Sequence, residues 1–145
     1  MKPQSCKAKG RRFQQQIVSD LYNEFELGEG DLRSTSMGAG GEDIQMSARA
    51  RELIPYSFEA KNQERLNIWS AIEQSEQNCL NRKPVVVIKK NKKKPYAVIP
   101  WETFLSLISN KETKDKPEKY STVDIEHLKN LVKEMSKSLN EVTES

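Results

Sequence analysis

The stretch "YSFEAKNQ", Tyr56 to Gln63, decides how this chain is read. Its residues alternate as a strand's do, so side chains two apart point to one face. Glu59 and Lys61 then project together, while Phe58 and Ala60 face the opposite layer. Upstream, "GAGGEDIQM", Gly38 to Met46, places Asp43 after a glycine-rich loop that only unhindered backbone can tighten, and "EDIQM" has strand character. The 15 residues between Asp43 and Glu59 suffice for the rest of one strand, a turn and a neighbouring strand that returns. Asp43, Glu59 and Lys61 are therefore expected to converge.

Working outward, Phe13, Ile17, Leu21 and Phe25 recur at helical spacing, with Val18 and Tyr22 widening the stripe, so an amphipathic helix is predicted over 11–27. "LRSTSM" reads as extended, and "ARARELIP" as a connector with a helical turn. Asn67 is a suitable N-cap for a helix through about Leu80, with Ile68, Trp69, Ile72 and Cys79 on or near its buried side. "KPVVVIKK" and "KPYAVIP" read as two strands of a hairpin joined through Asn91 and lysines, and "WETFLSLIS" as a short helix. This order predicts the α/β class, a mixed sandwich with a central sheet.

The chain's 145 residues allow one compact domain and a short appendage. The predicted domain covers 1–109. A charged, proline-containing linker over 110–122 follows, then a helix over 123–145. In that last segment Ile125, Leu128, Val132, Met135, Leu139 and Val142 alternate at spacings of three and four, as in a short coiled coil. A pairing helix, a helix docked on its own domain and a partly disordered tail all fit the pattern.

Composition removes several function classes. With 31% charged residues and no apolar run of bilayer length, the chain reads as soluble. "MKPQSCKAKGRR" is not followed by a signal-peptide core, so a cytoplasmic location and no membrane partner are expected. Cys6 and Cys79 are unrelated in spacing and His127 is the single histidine, which leaves no Cys/His zinc set and no imidazole-based triad. Carboxylates and lysine remain for catalysis. The net charge is only +3, but "KAKGRR", "RAR" and "KKNKKK" concentrate positive charge in three places. DNA is a plausible partner for such runs, and ordinary solubility is the plainer reading of any one of them.

"GGED" at 40–43 followed by "EAK" at 59–61 resembles the signature of the PD-(D/E)XK nuclease superfamily: an acid, a gap, then acid-any-lysine on the next strand. From about Lys7 to Ile108 the chain looks like the small phage-encoded and archaeal Holliday junction resolvases and their structure-selective relatives. It departs from their pattern at Glu42, where they carry proline, and at Gln14–Gln16, where related resolvases often carry a glutamate linked to the metal. Asp20, Glu24 or one of those glutamines is the expected replacement.

The resemblance implies a restriction-endonuclease-like fold and a metal-dependent endonuclease acting on branched DNA. It implies Mg²⁺, with Mn²⁺ as substitute, held by Asp43, Glu59 and the Ala60 carbonyl. Lys61 would position or help deprotonate the attacking water, and Gln77 or Gln74 would orient water or phosphate. Phosphate contacts are expected from Arg11, Arg12, Arg33, Arg49, Arg51, Lys92 and Lys93. A homodimer is expected because a junction must be cut on two symmetric strands. The alternatives are a nicking or repair nuclease of the same fold and a non-catalytic nucleic-acid-binding recombination or replication accessory protein. For Glu59 and Lys61 alone, a same-face ion pair on a half-exposed strand is the plain alternative.

Overall fold

The computed structural model describes residues 2–36, 38–109 and 122–143. The predicted linker lies outside the described residues apart from its last position. Two compact units are present, Met1–Leu105 and Ser106–Ser145. The first is mixed α/β.

Helix α1 spans Pro3–Glu24. It starts eight residues before the predicted range of 11–27, because Pro3 sits in the first turn, where its fixed φ and missing N–H cost nothing. Phe13 and Ile17 are buried, and Val18, Leu21, Tyr22 and Phe25 pack beside them. Strands β1 (Leu32–Ser34) and β2 (Ile44–Met46) pair antiparallel beneath it. Helix α2 (Ala48–Leu53) is capped by Ser47, whose side chain accepts the Ala50 N–H. Leu32, Ile44, Met46, Ala50 and Ile54 complete the core with Phe13 and Ile17.

Strand β3 (Tyr56–Asn62) pairs in parallel with β4 (Lys83–Lys89), and β4 pairs antiparallel with β5 (Tyr96–Val98). The parallel pair needs a crossover, supplied by α3 (Ile68–Asn78). Asn67 caps α3 as expected, accepting the Ser70 N–H. Helix α4 is Trp101–Ile108. Instead of one central sheet there are two, β1-β2 and β3-β4-β5. Just before β2, the Asp43 N–H donates to the Phe58 carbonyl of β3 at 3.2 Å, but the two sheets stay separate and no ladder extends across.

Trp69 departs from expectation: it is 77% exposed. The face of α3 that packs consists of small residues, Ala71, Ser75 and then Cys79, which lets the helix lie close to the sheet. Trp69 and Ile72 stand on its flank and line a surface cleft with Pro84, Val98 and Trp101. After α3, Leu80 adopts φ 53° while 80% of it is exposed. A left-handed leucine is costly and a glycine there is not. Leu80→Gly should therefore stabilise the protein by roughly 0.5–1 kcal/mol, read as a higher urea midpoint; a lower midpoint would mean that the leucine side chain contributes packing.

Helix α5 spans Thr122–Thr143 and exposes Leu128, Leu131, Val132, Met135, Leu139 and Val142. Among the described residues no helix is long and apolar enough to cross a membrane.

Candidate active site

Alternation along β3 works as the sequence predicts. Tyr56, Phe58 and Ala60 pack on the core, and Ser57 and Glu59 are buried on the opposite face. Lys61 Nζ lies 3.1 Å from Glu59 Oε1 and donates to Gln74 Oε1 at 2.8 Å. Asp43 reaches the same place from the other sheet, where its Oδ2 accepts the Ala60 N–H at 2.7 Å. Its backbone is fixed from both sides: its carbonyl accepts the Thr35 N–H at 2.8 Å, and its own N–H goes to Phe58. Gly38 and Gly41, at φ 88° and 95°, turn the preceding loop, and Gly38 and Gly40 line the cleft without side chains to fill it.

That cleft, about 720 Å³, takes in Gln14, Asp43, Glu59, Lys61, Asn62 and Gln74. Three buried oxygens in its lining residues have no hydrogen-bond partner: Gln14 Oε1, Glu59 Oε2 and Asn62 Oδ1. A buried acceptor without a donor is unfavourable, so each is a group that a cation or water entering the cleft would satisfy. Among the described residues, no three of His, Cys, Asp and Glu gather. The acidic ligands of such a cation would be Asp43 and Glu59, with amide oxygens beside them.

Burial is the main cause that pushes the Asp43 carboxyl above its ordinary range, against the Ala60 N–H, Lys61, Glu59 and Gln14, which lower it. Glu59 is also raised, first by burial and then by the Asp43 charge, with Lys61 and Asn78 opposing. The folded chain thus holds these protons more tightly than the unfolded chain does. Their contribution to stability is fully present below the ordinary carboxylate range and is lost as pH rises through the raised folded values. Thermal unfolding from about pH 4 to about pH 7, without divalent ions, should show the wild type losing stability relative to Glu59→Gln as pH rises. A constant difference between the two proteins would contradict the raised values.

Gln77 does not join this cleft. Helical residues advance about 100° each, so Gln77 stands roughly 200° around from the packed Ser75. It lines a neighbouring cleft of about 660 Å³ with Arg33, Glu42, Arg51 and Asn78, which meets the first at Gly40. Gln74 and Asn78 occupy the flank that faces Glu59 and Lys61. Asn78 was not foreseen, although its four-residue spacing from Gln74 is the signal that marks a shared face. Of the expected replacements on α1, Gln14 is the buried one, and Asp20 and Glu24 are exposed.

The expected phosphate-binding residues separate. Arg12 and Lys92 line one groove and Arg33 and Arg51 the other cleft. Arg49 donates to the Glu26 carbonyl, Arg11 is exposed on α1, and Lys93 lies beside Lys94 and Tyr96. Glu42, where the resembled pattern has proline, accepts from Arg82 Nη2 at 2.6 Å and from the Ser57 hydroxyl at 3.1 Å, with Arg51 at 3.3 Å. No family model, no curated protein and no solved structure gives a significant match to this chain.

Proposed function

We propose that this chain is a Mg²⁺-dependent endonuclease that hydrolyses phosphodiester bonds in branched DNA, on a restriction-endonuclease-like fold. The observation that carries the reading is the meeting of Asp43, Glu59 and Lys61 in one cleft beside unpartnered buried oxygens. An all-oxygen donor set of two carboxylates, the Gln14 amide oxygen and the Ala60 carbonyl suits Mg²⁺, and Mn²⁺ would substitute. When bound, the ion would supply positive charge against the phosphate and lower the pKa of the attacking water.

The protein's own groups do the rest. Asp43, fixed through three hydrogen bonds, and buried Glu59 present negative charge that the fold has already desolvated. Lys61, now paired with Glu59, would orient the water and stabilise charge developing on the phosphate. Gln74 holds the Lys61 ammonium from the other side and limits where it can point. Binding of a cation should also draw the raised Asp43 and Glu59 groups into their ionised form, with release of protons.

Two cuts at a junction call for two active sites, so the active form is proposed to be a homodimer. The exposed apolar stripe of α5 is consistent with pairing. The test is incubation of the purified chain with labelled four-way junction, matched linear duplex and single strand, with Mg²⁺ or EDTA. Paired Mg²⁺-dependent cuts in the junction alone are expected. Gln14, an amide where the resembled enzymes carry a carboxylate, favours the second reading, a structure-selective DNA-binding protein that does not cut. Tight binding with no cleavage of any substrate, in Mg²⁺ or Mn²⁺, would establish that second reading.

A further inference from the structure

Between the first half of α1 and the turn joining β4 to β5 runs a groove of about 400 Å³. Lys9 and Arg12 line it from the helix, and Lys89, Lys90 and Lys92 from the strand end and turn. Five cations thus border one small space. Glu64 is the acid that faces them: it lies 3.5 Å from Lys9, accepts the Asn91 N–H at 2.7 Å and feels the charge of Lys90. Arg12 Nε donates to the Ala8 carbonyl at 3.4 Å, which leaves the rest of its guanidinium to the groove. For Lys89, Lys90 and Lys92 no ion pair is present among the described residues.

Two features distinguish this groove from an ordinary solvated surface. It is continuous with the candidate active site, since Lys9 and Asn62 line both. Its turn also carries a backbone cost: Lys92 sits at φ 59°, a conformation that glycine or asparagine meets with less strain. Asn91 is the immediately preceding residue, so the strained position holds a lysine although a better-suited side chain is adjacent in sequence. Strain retained in this way clusters at binding sites.

We propose that this groove is a second phosphate-binding subsite, taking the backbone phosphates of the DNA strand that continues from the scissile position. This rests on the nuclease reading for its ligand and extends it by dividing the basic residues into two groups. Lys9, Arg12, Lys89, Lys90 and Lys92 hold the strand. Arg33, Arg49 and Arg51 do not, because they lie outside this groove, beside Gln45, the Glu26 carbonyl and Glu42.

Each phosphate contact contributes about 0.9 to the slope of log K against log salt on duplex DNA. Fluorescence anisotropy of labelled four-way junction and duplex, in EDTA and from about 50 to about 200 mM salt, reads that slope without cleavage. The double variant Arg12→Gln/Lys92→Gln should lower it by about 2, and Lys90→Gln alone by about 1. Arg33→Gln/Arg49→Gln should leave it unchanged. Equal losses in both double variants, no loss in the groove variants, or no DNA binding by the wild type would overturn the proposal. Cleavage in Mg²⁺ is scored separately. A wild type that binds through the groove but never cuts would sink the nuclease reading and leave the subsite standing.

Discussion

Asp43→Asn should lower Mg²⁺-dependent cleavage by about 10³-fold without weakening the fold. The asparagine oxygen can still accept the Ala60 N–H, so the backbone around position 43 keeps its anchor. The charge that would hold the cation is gone. Stability is expected to hold or rise at neutral pH, because burial raises the Asp43 carboxyl and its ionised form therefore opposes folding. Removing the charge also relieves Glu59, which Asp43 pushes in the same direction. Single-turnover cleavage and a thermal melt on one preparation separate these effects. Cleavage within about tenfold of wild type would take Asp43 out of the chemistry, and a large fall in melting temperature would make it a structural residue instead. The addition of Mg²⁺ should raise the melting temperature of the wild type more than that of the variant.

The second large effect concerns stability. Arg82→Ala should cost about 3 kcal/mol. The Arg82 and Glu42 side chains are only 9% and 11% exposed and meet at 2.6 Å, so removing the guanidinium leaves a carboxylate inside the protein. Arg51 still stands at 3.3 Å but is 46% exposed, and its screened charge compensates only in part. Arg51→Ala is the control, with a loss under about 1 kcal/mol. Replacing both partners, Glu42→Gln with Arg82→Met, should recover much of the loss, because no unpaired buried charge then remains and Arg51 is half-exposed. Urea unfolding measures all three; a cost for Arg82→Ala below about 1 kcal/mol would mean that water reaches Glu42 freely. Glu42 immediately precedes Asp43, so this ion pair fixes the chain just before the proposed metal ligand. The resembled nucleases have a stiff proline at that point, and here a buried charge pair restrains the backbone.

Local periodicity carried the readable part of this structure. The α1 stripe, the alternation that places Glu59 and Lys61 together and the Asn67 cap each depend on neighbours within a turn or a strand. The convergence of Asp43 on Glu59 was legible because the intervening chain is too short for much else. What escaped depends on packing between elements. Trp69 looks like core beside Ile68 and Ile72, yet α3 packs through Ala71 and Ser75, and small residues leave little mark on a hydrophobic pattern. Choosing between Gln74 and Gln77 required knowing which flank of α3 faces β3. The division into two sheets turns on how far β2 runs alongside β3, and strand residues do not encode where a ladder stops. Gln14 was one of three adjacent glutamines, separable only once the helix had a fixed rotation. No pattern distinguishes a lysine that lines a groove from one that only faces water.

The seam at Asp43 has a consequence for how the protein loses function on heating. Asp43 belongs to the loop entering a hairpin of three paired residues per strand, whereas Glu59 and Lys61 belong to the longer parallel pair under α3. Both sheets lie under a helix, but the hairpin has three paired residues per strand against seven in the parallel pair, so fewer ladder hydrogen bonds hold it closed. Each such opening would pull one carboxylate away from the other while most of the secondary structure stays in place. Any cleavage that depends on Asp43 should therefore be lost ahead of bulk melting.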